Sequence, residues 1–180
     1  MTLKRCFPPV VDAHARVLIL GSLPGEASLA QSQYYAYKHN QFWRLAGAVI
    51  GQDLPGMEYA ARLKALLAHR IGLWDVVAEA KREGSLDSKI RDHAGNDLAG
   101  LIASLPELAV IAFNGGTAAR IGMKALGDIG DRHAILKLPS SSPAYAAVPY
   151  DQKLAAWQTL REWLSSVSYT HLTLPTTPYV

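Results

Sequence analysis

Residues 33–43 read QYYAYKHNQFW, which gathers Tyr34, Tyr35, Tyr37, Lys38, His39 and Asn40 just ahead of a helical pattern. Aromatic faces stack nucleobases, and Lys38 or His39 is able to meet a phosphate. The same residues also suit a plainer arrangement, with Tyr34 and Tyr35 packed on a sheet and Asn40 capping a helix that starts at Gln41. Upstream, Gly21-Ser22-Leu23-Pro24-Gly25 forms a tight turn whose backbone N–H groups can face an anion or a base edge. It lacks both GxGxxG and a following Gly-Lys-Ser/Thr, so it is neither a dinucleotide fingerprint nor a P-loop. Near the other end, Ser140, Ser141 and Ser142 lie between Pro139 and Pro143. This stiff, hydroxyl-rich loop is suited to phosphate oxygens, and equally to a surface turn.

No metal chemistry is expected. His14, His39, His69, His93 and His133 show no ligand spacing, and the one cysteine, Cys6, excludes an internal disulfide, a cysteine-held cluster and a CxxC zinc site.

Four apolar runs must position these loops. Residues 16–20, 71–77, 109–113 and 134–138 read as buried strands. Helical spacing appears in Phe42, Leu45 and Val49, in Ala60, Leu63 and Leu67, over 117–126, and over 151–164 with Trp157 and Leu160. Residues 81–96 are polar and read as loop, with Asn96 as the cap of a helix reaching Ser104. Apolar strands alternating with helices predict an α/β fold with a short, mostly parallel four-stranded sheet covered on both faces. Ligands bind such sheets beyond the carboxyl ends of the strands, where the loops described above fall.

At 180 residues, 49% hydrophobic and 18% charged, the chain suits one domain with a full core. No apolar run is long enough for a membrane span, and no signal-peptide pattern opens the chain, so a cytoplasmic protein is expected. A net charge of +3 permits an anionic partner and does not demand one. Residues 166–180 carry no Asp, Glu, Lys or Arg and shift abruptly to threonine and proline. They resemble translated sequencing adapter, so the native domain is expected at 1–165 and His171 is set aside.

GSLPG, QYYA, HNQFW, GLWDVV, GSLDS, FNGGTA and LPSSSPA, in that order, resemble the hypoxanthine-DNA glycosylase (DNA-deoxyinosine glycosylase) family of the uracil-DNA glycosylase superfamily. The resemblance implies a three-layer α/β/α sandwich. Uracil enzymes of that superfamily place an acid or amide where this chain has Leu23, and a histidine where it has Ser140. The hypoxanthine family lacks both and uses an asparagine ahead of the FW pair, which matches Asn40.

On that resemblance, Asn40 is the expected catalytic residue, its carboxamide oxygen accepting a hydrogen bond from water and aiming it at C1′. Gly21, Ser22, Leu23, Tyr35, Phe42 and Asp75 are expected at the base, with Tyr35 or Phe42 stacking on it and Asp75 accepting the N1–H of hypoxanthine. Lys38, His39, Ser140, Ser141, Ser142 and Tyr145 are expected at the DNA, with Tyr145 or Ala144 filling the vacated stack and Asn114 supporting the next loop or helix. The expected partner is DNA containing deaminated bases, met by a monomer with no cofactor and no membrane contact. A uracil-preferring enzyme of the same fold and a non-catalytic nucleic-acid binding module are the alternatives.

Overall fold

The computed structural model describes residues 3–82, 85–87 and 90–165; residues 166–180, the adapter-like tail, lie outside them. In chain order the first half comprises β1 (Leu3–Arg5), β2 (Val17–Gly21), α1 (Glu26–Gln31), α2 (Phe42–Ile50), α3 (Tyr59–Ala68), β3 (Ile71–Asp75) and β4 (Val77–Lys81). The second half comprises β5 (Arg91–Gly95), α4 (Leu98–Ala103), β6 (Val110–Asn114), α5 (Gly116–Leu126), β7 (Ala134–Leu138), α6 (Tyr150–Gln158) and α7 (Leu160–Ser165).

Strands β3, β2, β6 and β7 form, in that order, a parallel four-stranded sheet. Every residue of β2 and β6 is buried, because alternate side chains feed two cores. Val17 and Ile19 pack with Phe42, Leu45, Leu66 and Trp157, on the face covered by α2, α3 and α6. Leu18 and Leu20 pack with Leu98, Ile102, Ala118 and Ile121, on the face covered by α4 and α5. Each such aliphatic side chain contributes about 1.5–3 kcal/mol on burial. The result is the three-layer α/β/α arrangement expected from the sequence.

A second, antiparallel sheet, β1-β4-β5, was not anticipated. The run 71–77 divides at Val76 between the two sheets, since Val76 and Val77 are both fully buried under the second core and their apolar character does not say which sheet holds them. The 81–96 segment contains β5, an edge strand whose polar composition reads as loop. Asp97, rather than Asn96, caps α4, accepting from Gly100 N. The helix expected over 151–164 divides at Thr159, whose hydroxyl donates back to Ala156 O at 2.6 Å.

Candidate active site

The parallel register pairs Gly21 with Asp75 and Asn114 with Leu138, so the loops after all four central strands open along one edge. They surround a cavity of about 1130 Å³, lined among others by Gly21, Tyr35, Asn40, Asp75, Asn114 and Ser141. That is ample for a base with part of its sugar and backbone.

One chain of hydrogen bonds crosses this cavity. Asn114 Oδ1 accepts from Ser141 N at 2.9 Å, which orients its carboxamide. Asn114 Nδ2 then donates to Ser141 Oγ at 2.9 Å and to the Tyr35 hydroxyl at 3.2 Å. Ser141 Oγ in turn donates to Asn40 Oδ1 at 2.8 Å, and the same oxygen accepts from Phe42 N at 2.9 Å. Two donors therefore fill Asn40 Oδ1, so that oxygen is not free to accept from a water as the sequence reading expects, and Nδ2 is the remaining hydrogen-bonding atom of its carboxamide. Gly115, at φ +100°, makes the turn from β6 into α5 against Ser140, and that left-handed backbone favours glycine.

Tyr35 is held from two sides. Its backbone sits at φ 54°, a left-handed value uncommon for a bulky residue and frequent where surroundings over-determine a site. Its ring lies flat on Phe42, with centroids 3.9 Å apart and planes 10° from parallel. Asp75 is 3% exposed. Its Oδ2 is sealed and meets no hydrogen-bond donor among the described residues. Burial, with repulsion from Asp87 added and attraction to Arg82 opposing, pushes the Asp75 carboxyl up to about 7. Asn96 Nδ2 fixes its backbone, donating to Asp75 O at 2.7 Å.

Two cations brace the rim. Arg82, 1% exposed, donates to Leu23 O at 3.5 Å and to Pro24 O, and stands 3.7 Å from Asp87. Asp87 accepts from Ser22 Oγ at 2.6 Å. Lys153, 2% exposed, donates from α6 to Gln41 Oε1 at 3.1 Å and to Ser142 O at 3.2 Å. Burial pulls the Lys153 ammonium below its ordinary pKa.

The family model of the uracil DNA glycosylase superfamily matches residues 8–161. The chain belongs to the uracil DNA glycosylase superfamily. Two relatives named hypoxanthine DNA glycosylase are similar to it. That of Methanosarcina barkeri is 48% identical over 112 residues, 62% of this chain and 71% of the relative. That of Methanosarcina acetivorans is 50% identical over 113 residues, 63% and 72%. The solution NMR structure of a candidate uracil DNA glycosylase from Methanosarcina acetivorans superposes with a TM-score of 0.79 at 41% identity, covering 90% of this chain and 99% of that one.

In this superfamily member, Gly21, Ser22, Leu23, Tyr35, Asn40, Asp75, Ser140, Ser141, Ser142 and Tyr145 all come together at the cavity. Phe42 does not line it: fully buried, it backs Tyr35 and is not available to stack on a base. Lys38 and His39 are exposed beside the cavity and line none of it. Ser141 spends its amide and hydroxyl inside the protein, which removes them from phosphate binding. Ser22 is likewise committed to Asp87. The sequence carries no local signal for Arg82, Asp87 and Lys153 or for the central place of Asn114, because each acts through partners distant in sequence. Among the described residues, no group of three or more His, Cys, Asp or Glu is arranged to hold a metal ion, and no helix is long and apolar enough to cross a membrane.

Proposed function

We propose that this chain is a DNA glycosylase that hydrolyses the N-glycosidic bond of deaminated bases in DNA, with hypoxanthine in deoxyinosine as its main substrate and uracil second. The observation that carries this reading is the hydrogen-bonded chain Tyr35–Asn114–Ser141–Asn40, set along a base-sized cavity that also holds Asp75. The two half-identical relatives named for hypoxanthine support the choice of base, and the structural neighbour supports uracil.

The target nucleotide leaves the stack at a cost of a few kcal/mol, least where pairing is weak. As the glycosidic bond breaks, the sugar becomes oxocarbenium-like and the base gains negative charge. Asn40 Nδ2 donates to a water, leaving a lone pair of that water to face C1′. The water oxygen bonds to C1′ and its proton passes to the departing base. Backbone amides of the 21–25 turn face the negative charge. The hydroxyls of Ser140 and Ser142, with Lys38, His39 and Tyr145, meet the DNA strand. The enzyme works as a cytoplasmic monomer of one domain, residues 1–165, and uses no cofactor.

Oligonucleotides carrying deoxyinosine, deoxyuridine or deoxyxanthosine test this, with free bases identified by mass. Hypoxanthine is expected to appear fastest. Faster release of uracil supports the uracil-preferring alternative, and salt-sensitive DNA binding with no base released supports a binding module.

A further inference from the structure

Asp75 and Tyr35 both line the cavity beside Gly21. A Cβ at that glycine would stand 2.7 Å from Asp75 Oδ1 and 2.7 Å from the Tyr35 hydroxyl, so the two oxygens lie no more than twice that distance apart. Their hydrogen-bonding senses differ. The Tyr35 oxygen already accepts from Asn114 Nδ2, an atom whose identity is fixed by Ser141 N bonding Asn114 Oδ1, so the phenol has its proton left to give. Asp75 Oδ1 accepts as a carboxylate, and it accepts in the acid too when the proton rides on the sealed Oδ2.

We propose that the Tyr35 hydroxyl completes, beside the Asp75 oxygen expected to accept the ring N–H, a donor–acceptor edge that tells deaminated bases from adenine and cytosine, Tyr35 donating to the new carbonyl of the flipped base. This rests on reading the cavity as the base site of a glycosylase. Deamination turns an exocyclic amine, a donor, into a carbonyl, an acceptor, and gives the adjacent ring nitrogen a proton. Adenine and cytosine present the opposite order, while hypoxanthine, uracil and xanthine all match. A site built to bond such groups rejects analogues that leave its polar atoms unpaired. Guanine and thymine share the matching edge, and the cost of extracting them from their Watson–Crick pairs opposes their entry.

The surroundings hold both groups in place. Tyr35 is fixed by its stack on Phe42 and by its left-handed backbone, which a ring used only for packing does not require. Asp75 is buried without compensating donors, and a base N–H supplies one.

The test is single-turnover base release from single-stranded oligonucleotides carrying either hypoxanthine or unsubstituted purine, which keeps the ring and lacks both the carbonyl and the ring N–H. Single strands remove differences in pairing. The readout is the hypoxanthine-to-purine ratio for the wild type, Tyr35→Phe and Asp75→Asn. Tyr35→Phe keeps the stacked ring but takes an acceptor from Asn114, so it is expected to slow release of both bases and to slow hypoxanthine release about tenfold more than purine release, collapsing the ratio. Asp75→Asn is expected to lower the ratio as well. A merely structural hydroxyl would slow both bases alike, so an unchanged ratio in both variants overturns the proposal. If the wild type releases no base from deoxyinosine or deoxyuridine, the glycosylase reading fails, and this proposal with it.

Discussion

Ser141 Oγ donates to Asn40 Oδ1 at 2.8 Å, joining residues 101 positions apart and tying the loop after β7 to the segment before α2. The bond orients Asn40, and through Asn114 the same hydroxyl reaches Tyr35. The cavity is thus set by one buried polar network in which each member fixes the next.

Ser141→Ala breaks that network at its centre. Asn40 Oδ1 loses one donor, and Asn114 Nδ2 loses one of its two acceptors at a buried position, keeping the Tyr35 hydroxyl. The expected cost is about 1–3 kcal/mol of stability, read by urea unfolding. Base release should slow by about tenfold or more, because Asn40 is no longer held in one orientation. Unchanged rates would show that the serine only packs.

Gly21→Ala places a methyl group 2.7 Å from both Asp75 Oδ1 and the Tyr35 hydroxyl. Neither partner yields readily, since Tyr35 is stacked on Phe42 and Asp75 is buried. Overpacking of this kind costs about 1–3 kcal/mol. Activity should fall further than thermal stability, and equal loss of the two would remove Gly21 from the site.

Asp75→Asn should stabilise the protein, more so as pH rises. Below pH 3.8 the carboxyl is protonated folded and unfolded, and it sets no pH slope. Between 3.8 and about 7 the folded protein binds the extra proton, so the wild type loses stability with rising pH, and above that the penalty stays constant. The advantage of the variant should therefore be small near pH 4 and full by pH 8 in unfolding titrations. An advantage independent of pH contradicts a buried, poorly compensated carboxyl.

Lys153→Met keeps the buried stem and removes the donor to Gln41 Oε1 and Ser142 O. Loss of these two bonds should cost about 1–2 kcal/mol and speed amide hydrogen exchange in the 140–145 segment. If exchange there is unchanged, Lys153 does not brace the loop.

The sheet was legible because β2 and β6 are buried on both faces and read as unbroken apolar runs. The second sheet was not, since β5 is a polar edge strand and β1 has three residues. Glycine, serine and asparagine at the strand ends marked the cavity correctly. The partners of Asn40 escaped because a capping bond to Phe42 N and a bond to Ser141 both fit an asparagine, and only the folded register shows that its oxygen makes the two at once. Nothing local to Arg82, in a polar segment, or to Lys153, in a helical one, indicates the distant carbonyls they hold.

Release of free hypoxanthine from a deoxyinosine oligonucleotide, compared between the wild type and Asn40→Ala, tests the central claim most directly. The expected result is release by the wild type and a rate lower by about 10²–10⁴-fold in the variant, with DNA affinity retained and stability reduced by about 1 kcal/mol for the lost hydrogen bond from Phe42 N. Full base release by Asn40→Ala, or none by the wild type from any deaminated base, contradicts it.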